Sequence, residues 1–150
     1  MKVPVRVNGV QVELVSRTDE TLLTALRRAG YRSVRLTCGI GVCGACTVLI
    51  DGNPISSCLV LVPAASGADI TTTEGFEDDD PVAAAFQELS AFQCGYCTPG
   101  FVLTARALLS ENPNPNHDEI RHALAGNLCR CGSYVKIAEA VRLAAESMRS

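Results

Sequence analysis

The sequence predicts an α+β chain in two domains, an N-terminal β-grasp sheet unit followed by an all-α unit of four helices. Three observations carry that expectation. Apolar and polar residues alternate over residues 3–14; apolar spacing changes to three and four beyond Pro81; and residues 74–81, Glu-Gly-Phe-Glu-Asp-Asp-Asp-Pro, gather acids with Gly and Pro between the two patterns. The expected division is 1–75, an acidic linker at 76–81, and 82–150.

Val3, Val5 and Val7 share one face of a strand, Asn8-Gly9 is a strong hairpin signal, and Val10, Val12 and Leu14 resume the period of two. From Asp19 the period becomes helical, with Leu22, Leu23, Leu26 and Ala29 on one face and Gly30 at the stop. A Gly/Cys-rich loop, 38–46, leads to a strand at Thr47–Ile50, an Asp51-Gly52 turn, a further strand over Ile55–Val62, and a last β-like piece near Asp69–Thr72. The run Asp78-Asp79-Asp80 reads as a solvated linker, because the spaced ligands and glycine of a calcium loop are absent. Beyond it a helix is expected over 82–92. Another is expected from Thr98 as N-cap, with Pro99 at its first position, to Ser110. Asn112-Pro-Asn-Pro breaks the helix, Asn116 with Glu119 forms a capping box, and Ser133 caps a final helix whose Ile137, Val141, Ala144 and Met148 share a face.

Composition narrows the function. The chain has 150 residues, 47% apolar and 19% charged, which suits a packed core rather than a disordered chain. Its net charge of -3 argues against a nucleic-acid surface, which rests on clustered positive charge. The N-terminus lacks the apolar core of an export signal, and no apolar run approaches the roughly 20 residues of a membrane span. The pair Arg27-Arg28 reads as surface charge at a helix end. The expected setting is cytoplasmic, where thiols stay reduced, so the eight cysteines are to be read as metal ligands before disulfides.

Those cysteines divide four and four. Cys38-x4-Cys43-x2-Cys46, with Cys58 further on, has the plant-type spacing for a 2Fe-2S cluster, and the glycines between permit a loop that hugs an anionic group. Tetrahedral zinc fits this loop poorly, since zinc sites favour paired hooks. The second set, Cys94-x2-Cys97 and Cys129-x-Cys131, is less specific: zinc or a redox dithiol is open to it from spacing alone. Each of its pairs precedes an expected helix start. Two helix N-termini aimed at one site favour an anionic cluster over a structural zinc.

Cys38-Gly-Ile-Gly-Val-Cys-Gly-Ala-Cys46 with Ser57-Cys58-Leu59, Gln93-Cys-Gly-Tyr-Cys-Thr-Pro-Gly-Phe101 and Gly126-Asn-Leu-Cys-Arg-Cys131 together resemble the small iron–sulfur subunit of the xanthine oxidase family of molybdenum hydroxylases. The resemblance spans nearly the whole chain. It implies a plant-type ferredoxin-like domain joined to a four-helix domain, with one 2Fe-2S cluster in each. It further implies a large partner subunit carrying molybdopterin, and in many members of the family a medium subunit carrying FAD. The set of Cys94, Cys97, Cys129 and Cys131 would hold the cluster nearest molybdenum, with Gln93 and Cys131 on the side facing the pterin. Gln93 matches the family glutamine whose amide contacts that cofactor. The set of Cys38, Cys43, Cys46 and Cys58 would pass electrons onward.

Gly132-Ser133 departs from the Thr-Gly found in many relatives, and the 38–46 loop lacks acidic residues often found there; every ligand position is intact. His117, His122 and Arg130 are given no role. No catalytic residue is expected in this chain, which reads as an electron-transfer subunit. A free-standing two-cluster carrier and a zinc-stapled interaction module are the competing classes.

Overall fold

The computed structural model describes residues 1–150. A five-stranded mixed sheet occupies the first half, its strands in the spatial order Val10–Val15, Lys2–Val7, Asp69–Thr71, Thr47–Ile50 and Asn53–Ser56, and four of the five α-helices follow residue 80. Strands β1 (Lys2–Val7) and β2 (Val10–Val15) form the expected hairpin, with Val7 opposite Val10. Asn8 and Gly9 both take positive φ, 51° and 79°, the conformation a tight two-residue turn demands. The alternation fails at one point: Val10, at the start of the edge strand, is exposed, while Leu14 further along it is buried in the core.

Helix α1 (Leu22–Arg28) starts three residues after the change of period at Asp19, capped by Thr21, whose hydroxyl accepts a hydrogen bond from the Thr24 amide. The helix buries Leu22, Leu23, Ala25 and Leu26 against Val3, Val5, Val7, Val48 and Ile70. Of the two arginines expected to be plain surface charge, Arg27 donates to the Val34 carbonyl at 2.7 Å and Arg28 pairs with Glu20. Each ties the helix end to a neighbouring segment.

Strand β3 (Thr47–Ile50) pairs with β4 (Asn53–Ser56) and with β5 (Asp69–Thr71). The strand expected over Ile55–Val62 is cut short at Ser56. Ser57 bonds the Cys46 carbonyl through both its amide, at 3.3 Å, and its hydroxyl, at 2.7 Å. That double attachment turns the chain into a 3-10 turn at Ser57–Leu59 and leaves Cys58 beside Cys46.

Beyond the sheet, α2 (Pro81–Glu88) ends four residues before the expected 92. Ser90 takes a φ of 48°, its amide bonds Gln87 and the Ala91 amide bonds Phe86, which is a Schellman closure made without glycine. Helix α3 (Thr98–Glu111) has Cys97, not Thr98, at its N-cap; the Thr98 hydroxyl is buried without a partner. The capping box of α4 (His117–Ala123) is present as expected, Asn116 and Glu119 bonding each other's backbone amides. Helix α5 (Tyr134–Arg149) buries Ile137, Val141 and Ala144, but Met148 lies past the packed surface and is exposed.

Two apolar cores result. The first ends with Ile70 and the second begins with Val82, and they share no residue. Asp80 departs from the solvated linker expected of the acidic run: it is buried, accepts from the Val82 and Ala83 amides at 3.0 Å each, and pairs with Arg106 at 2.8 Å. Helix α3 then packs across β3 and β4, laying the helical half against the sheet.

Candidate metal centres

The loop before β3 presents Cys38, Cys43 and Cys46 on a backbone too tight for ordinary residues. Gly44 has a φ of 70°, and a Cβ there would stand 2.5 Å from both the Asn127 amide nitrogen and the Gly126 carbonyl oxygen. The loop amides turn inward onto sulfur. Ile40 and Val42 each donate to Cys38 Sγ at 3.4 Å, and Ala45 donates to Cys43 Sγ at 3.5 Å. Chiefly the Ile40 amide, with those of Cys43 and Val42, holds the Cys38 thiol down to about 6. Burial, together with Cys46 beside it, pushes Cys58 up to about 11.

The second set forms where two helices begin. Cys97 sits at the start of α3, and Cys129 and Cys131 lead into α5. Ser133, expected to cap α5 through its side chain, makes no such bond; its amide donates instead to Cys129 Sγ at 3.4 Å. The Cys129 amide donates to the Tyr134 hydroxyl at 2.8 Å, and Gln93 Nε2 donates to the Cys131 carbonyl at 3.3 Å. Burial, and after it Cys129, pushes Cys97 up to about 12. The Tyr96 amide and then Cys131 lower Cys94. Burial opposes ionisation of Cys129, but the Ser133 amide and Cys97 outweigh it and lower the thiol.

Within each set the thiols meet most directly in pairs, while charge coupling across the pairs, of Cys38 with Cys58 and of Cys94 with Cys97 and Cys129, keeps all four in one group. Cys38 neighbours Cys43 and Cys58 neighbours Cys46; Cys94 neighbours Cys131 and Cys97 neighbours Cys129. A lone zinc needs four ligands on one ion, whereas a two-iron cluster takes two on each iron. All eight cysteines are free of disulfides.

Between the sets lies a cleft of about 530 Å³, lined by Cys43 from one side and Cys94, Cys97 and Cys129 from the other, with Tyr96 and Leu128. The halves are joined there by backbone and side chain. The Leu128 amide donates to the Cys43 carbonyl at 2.9 Å, the Tyr96 hydroxyl to the Leu36 carbonyl at 2.9 Å, and the Arg35 guanidinium lies 5.0 Å above the Tyr96 ring. Sequence reasoning missed these groups, as nothing in cysteine spacing says which neighbours turn toward the other half.

Exposure divides the sites' outer edges. Gln93 and Cys94 are exposed beside Phe92, while the first loop carries an apolar rim of Leu36, Ile40, Val42 and Leu59, with Ile40 at 69%. Such a contiguous apolar rim marks an interaction surface. His117 and His122 are exposed on α4, in a groove that holds no cysteine.

Residues 5–85 match the family described as 2Fe-2S iron-sulfur cluster binding domain, and residues 72–142 the family described as 2Fe-2S binding domain. The chain is 47% identical, over 93% of its length and 91% of the other's, to the nicotinate dehydrogenase small FeS subunit of Eubacterium barkeri. It superposes on quinoline 2-oxidoreductase from Pseudomonas putida 86 with a TM-score of 0.94 and 39% identity, covering 99% of this chain and 96% of that one. It superposes also on the aldehyde oxidoreductase of Desulfovibrio desulfuricans, with a TM-score of 0.93 and 37% identity, covering 99% of this chain but 17% of that much longer one.

Proposed function

The chain belongs to the family of small iron–sulfur subunits of the molybdenum hydroxylases, and from that premise we propose which of its residues do the work. Cys38, Cys43, Cys46 and Cys58 hold one 2Fe-2S cluster, and Cys94, Cys97, Cys129 and Cys131 hold the other. The observation that carries this reading is the two-by-two grouping of thiols in each set, with backbone amides already donating to sulfur. When bound, each cluster supplies a one-electron redox centre.

The residues around the sulfurs perform three tasks. The Ile40, Val42, Ala45 and Ser133 amides stabilise negative charge on the ligands. Cys46 and Cys58 are buried, which keeps water from that side of the first site. The remaining thiols line or approach the cleft and the surface, giving each site an inner and an outer edge. No nucleophile, acid or base for substrate conversion is supplied here; the chain is the electron-transfer subunit of a larger oxidoreductase.

The outer edge of the second site, with Gln93 and Cys131, is where a large subunit carrying molybdopterin docks. The match covering 17% of a much longer aldehyde oxidoreductase chain supports so large a neighbour. The apolar rim around Ile40 is where a FAD-bearing subunit or another acceptor docks. The separate cores support a ferredoxin-like β-grasp domain over 1–75 and a four-helix domain over 82–150, joined at 76–81. No helix is long and apolar enough to cross a membrane.

Purification of the intact complex tests the assignment. Fully loaded, each copy of this chain carries two irons and two acid-labile sulfides per cluster, four of each in all, with two distinguishable EPR signals on reduction. Two irons at full occupancy would overturn it. A chain that purifies loaded and alone, with no molybdenum subunit, is instead a free carrier.

A further inference from the structure

We infer that Asn127 is the positioning residue that fixes the two thiol sets relative to each other. Its side chain is buried, at 5% exposure, and lies where the halves meet. Nδ2 donates to the Gly44 carbonyl at 3.2 Å, with Thr47 Oγ1 at 3.5 Å, while Oδ1 accepts from the Thr104 hydroxyl at 3.0 Å. One amide therefore grips the cysteine loop, the strand that follows it and helix α3 at once.

Sequence neighbours give that grip its importance. Gly44 follows Cys43, and Asn127 precedes Leu128 and Cys129. The amide bond to Gly44 runs beside the Leu128–Cys43 backbone bond, so the two together hold the peptides flanking a thiol of each set. Space is tight on every side: a Cβ on Gly44 would strike Asn127 and Gly126, and one on Gly100 would strike the Gly44 carbonyl. With the amide removed, the Gly44 carbonyl keeps the Thr47 hydroxyl and amide, at 2.7 and 3.2 Å, but loses its donor from the helical half, leaving the Leu128–Cys43 bond to hold the loop there. The Tyr96–Leu36 and Arg35–Tyr96 contacts lie nearer the surface and touch neither Gly44 nor the segment before Cys129.

The inference rests on the proposed assignment of both clusters, and its test separates the two. Asn127→Ala and Thr104→Val are compared with wild type in the loaded complex, with Thr104→Ser as the variant that retains the hydroxyl. The readouts are iron content, the g values of each reduced cluster, and the magnetic splitting between them at low temperature. Expected in Asn127→Ala and Thr104→Val are full iron and unchanged g values with an altered splitting, together with slower equilibration of electrons between the clusters; Thr104→Ser retains the wild-type splitting. Thr104→Val carries the test if Asn127→Ala does not fold. Wild-type splitting and equilibration in both variants, accompanied only by lower thermal stability, would show that Asn127 merely supports the fold. A wild-type protein with a single EPR signal would remove the cluster assignment and this inference together.

Discussion

The Cys43 carbonyl oxygen accepts the Leu128 amide at 2.9 Å, so one hydrogen bond joins a residue of the first thiol set to the neighbour of Cys129 in the second. That bond uses backbone alone. It survives loss of the Cys43 sulfur, and this separates the integrity of one site from the contact between them.

Cys43→Ser accordingly disrupts the first cluster while the second assembles. The serine retains the carbonyl, and the helical core from Val82 to Ala145 contains none of the first set. Iron falls toward half of the wild-type value, and one EPR signal persists. Loss of both signals from a folded variant would contradict separate ligand sets.

Gln93→Ala retains every thiol and gives up the exposed bond from Nε2 to the Cys131 carbonyl. Iron content and both EPR signals stay normal. The deficit appears in the assembled enzyme as slower reduction by substrate or weaker retention of the large subunit. Stopped-flow reduction at the wild-type rate, with normal subunit binding, would show that this edge is not the one facing the partner.

Gly44→Ala destabilises more than Gly52→Ala, although the two φ values are similar at 70° and 82°. Both pay the left-handed cost, about 1–2 kcal/mol. A Cβ on Gly52 meets open space, whereas one on Gly44 crowds Asn127 and Gly126, adding about 1–3 kcal/mol. Urea midpoints of the two variants measured side by side check the ordering, and equal losses would argue against tight packing between the halves.

Glu20→Gln tests the anchor of α1. Arg28 holds the Glu20 carboxyl at about 2, below its ordinary 4.5. A lowered value in the folded state contributes stability in full above the unfolded value and loses it as pH falls from about 4.5 toward 2. With Arg28 53% exposed, the variant loses no more than about 1 kcal/mol at neutral pH. Its urea midpoint therefore trails wild type by a constant gap from about pH 8 to 5, and the gap narrows below 4.5. A gap that is unchanged near pH 3 would assign the loss to something other than charge.

Much of this architecture is legible without coordinates because local chemistry decides it. The hairpin follows from Asn8-Gly9, and the start of α4 from Asn116 and Glu119, each an interaction within a few residues. Cysteine spacing likewise marks the four-and-four division. Other features answer to distant groups. Whether Ile55–Val62 continues as a strand depends on the Cys46 carbonyl capturing Ser57, and the end of α2 depends on an unadvertised left-handed Ser90. Asp80 looks like its solvated neighbours until Arg106, 26 residues later, comes to meet it. Asn127 belongs with these, since the carbonyl it grips lies 83 residues away.

Burial of Asp80 bears on how such chains can be recombined. The junction between the halves resembles a spacer in composition, inviting exchange of one half for that of a relative at residue 80. Yet Asp80 caps the helix that follows it and binds the half-buried Arg106 of that same half, while Gly44 and Gly100 must arrive as a matched pair. A crossover at 76–79 carries Asp80 with its partner but still separates Gly44 from Asn127. Chimeras are therefore tolerated between parents that agree at residues 44, 100 and 127, so the halves are inherited together wherever those three positions differ.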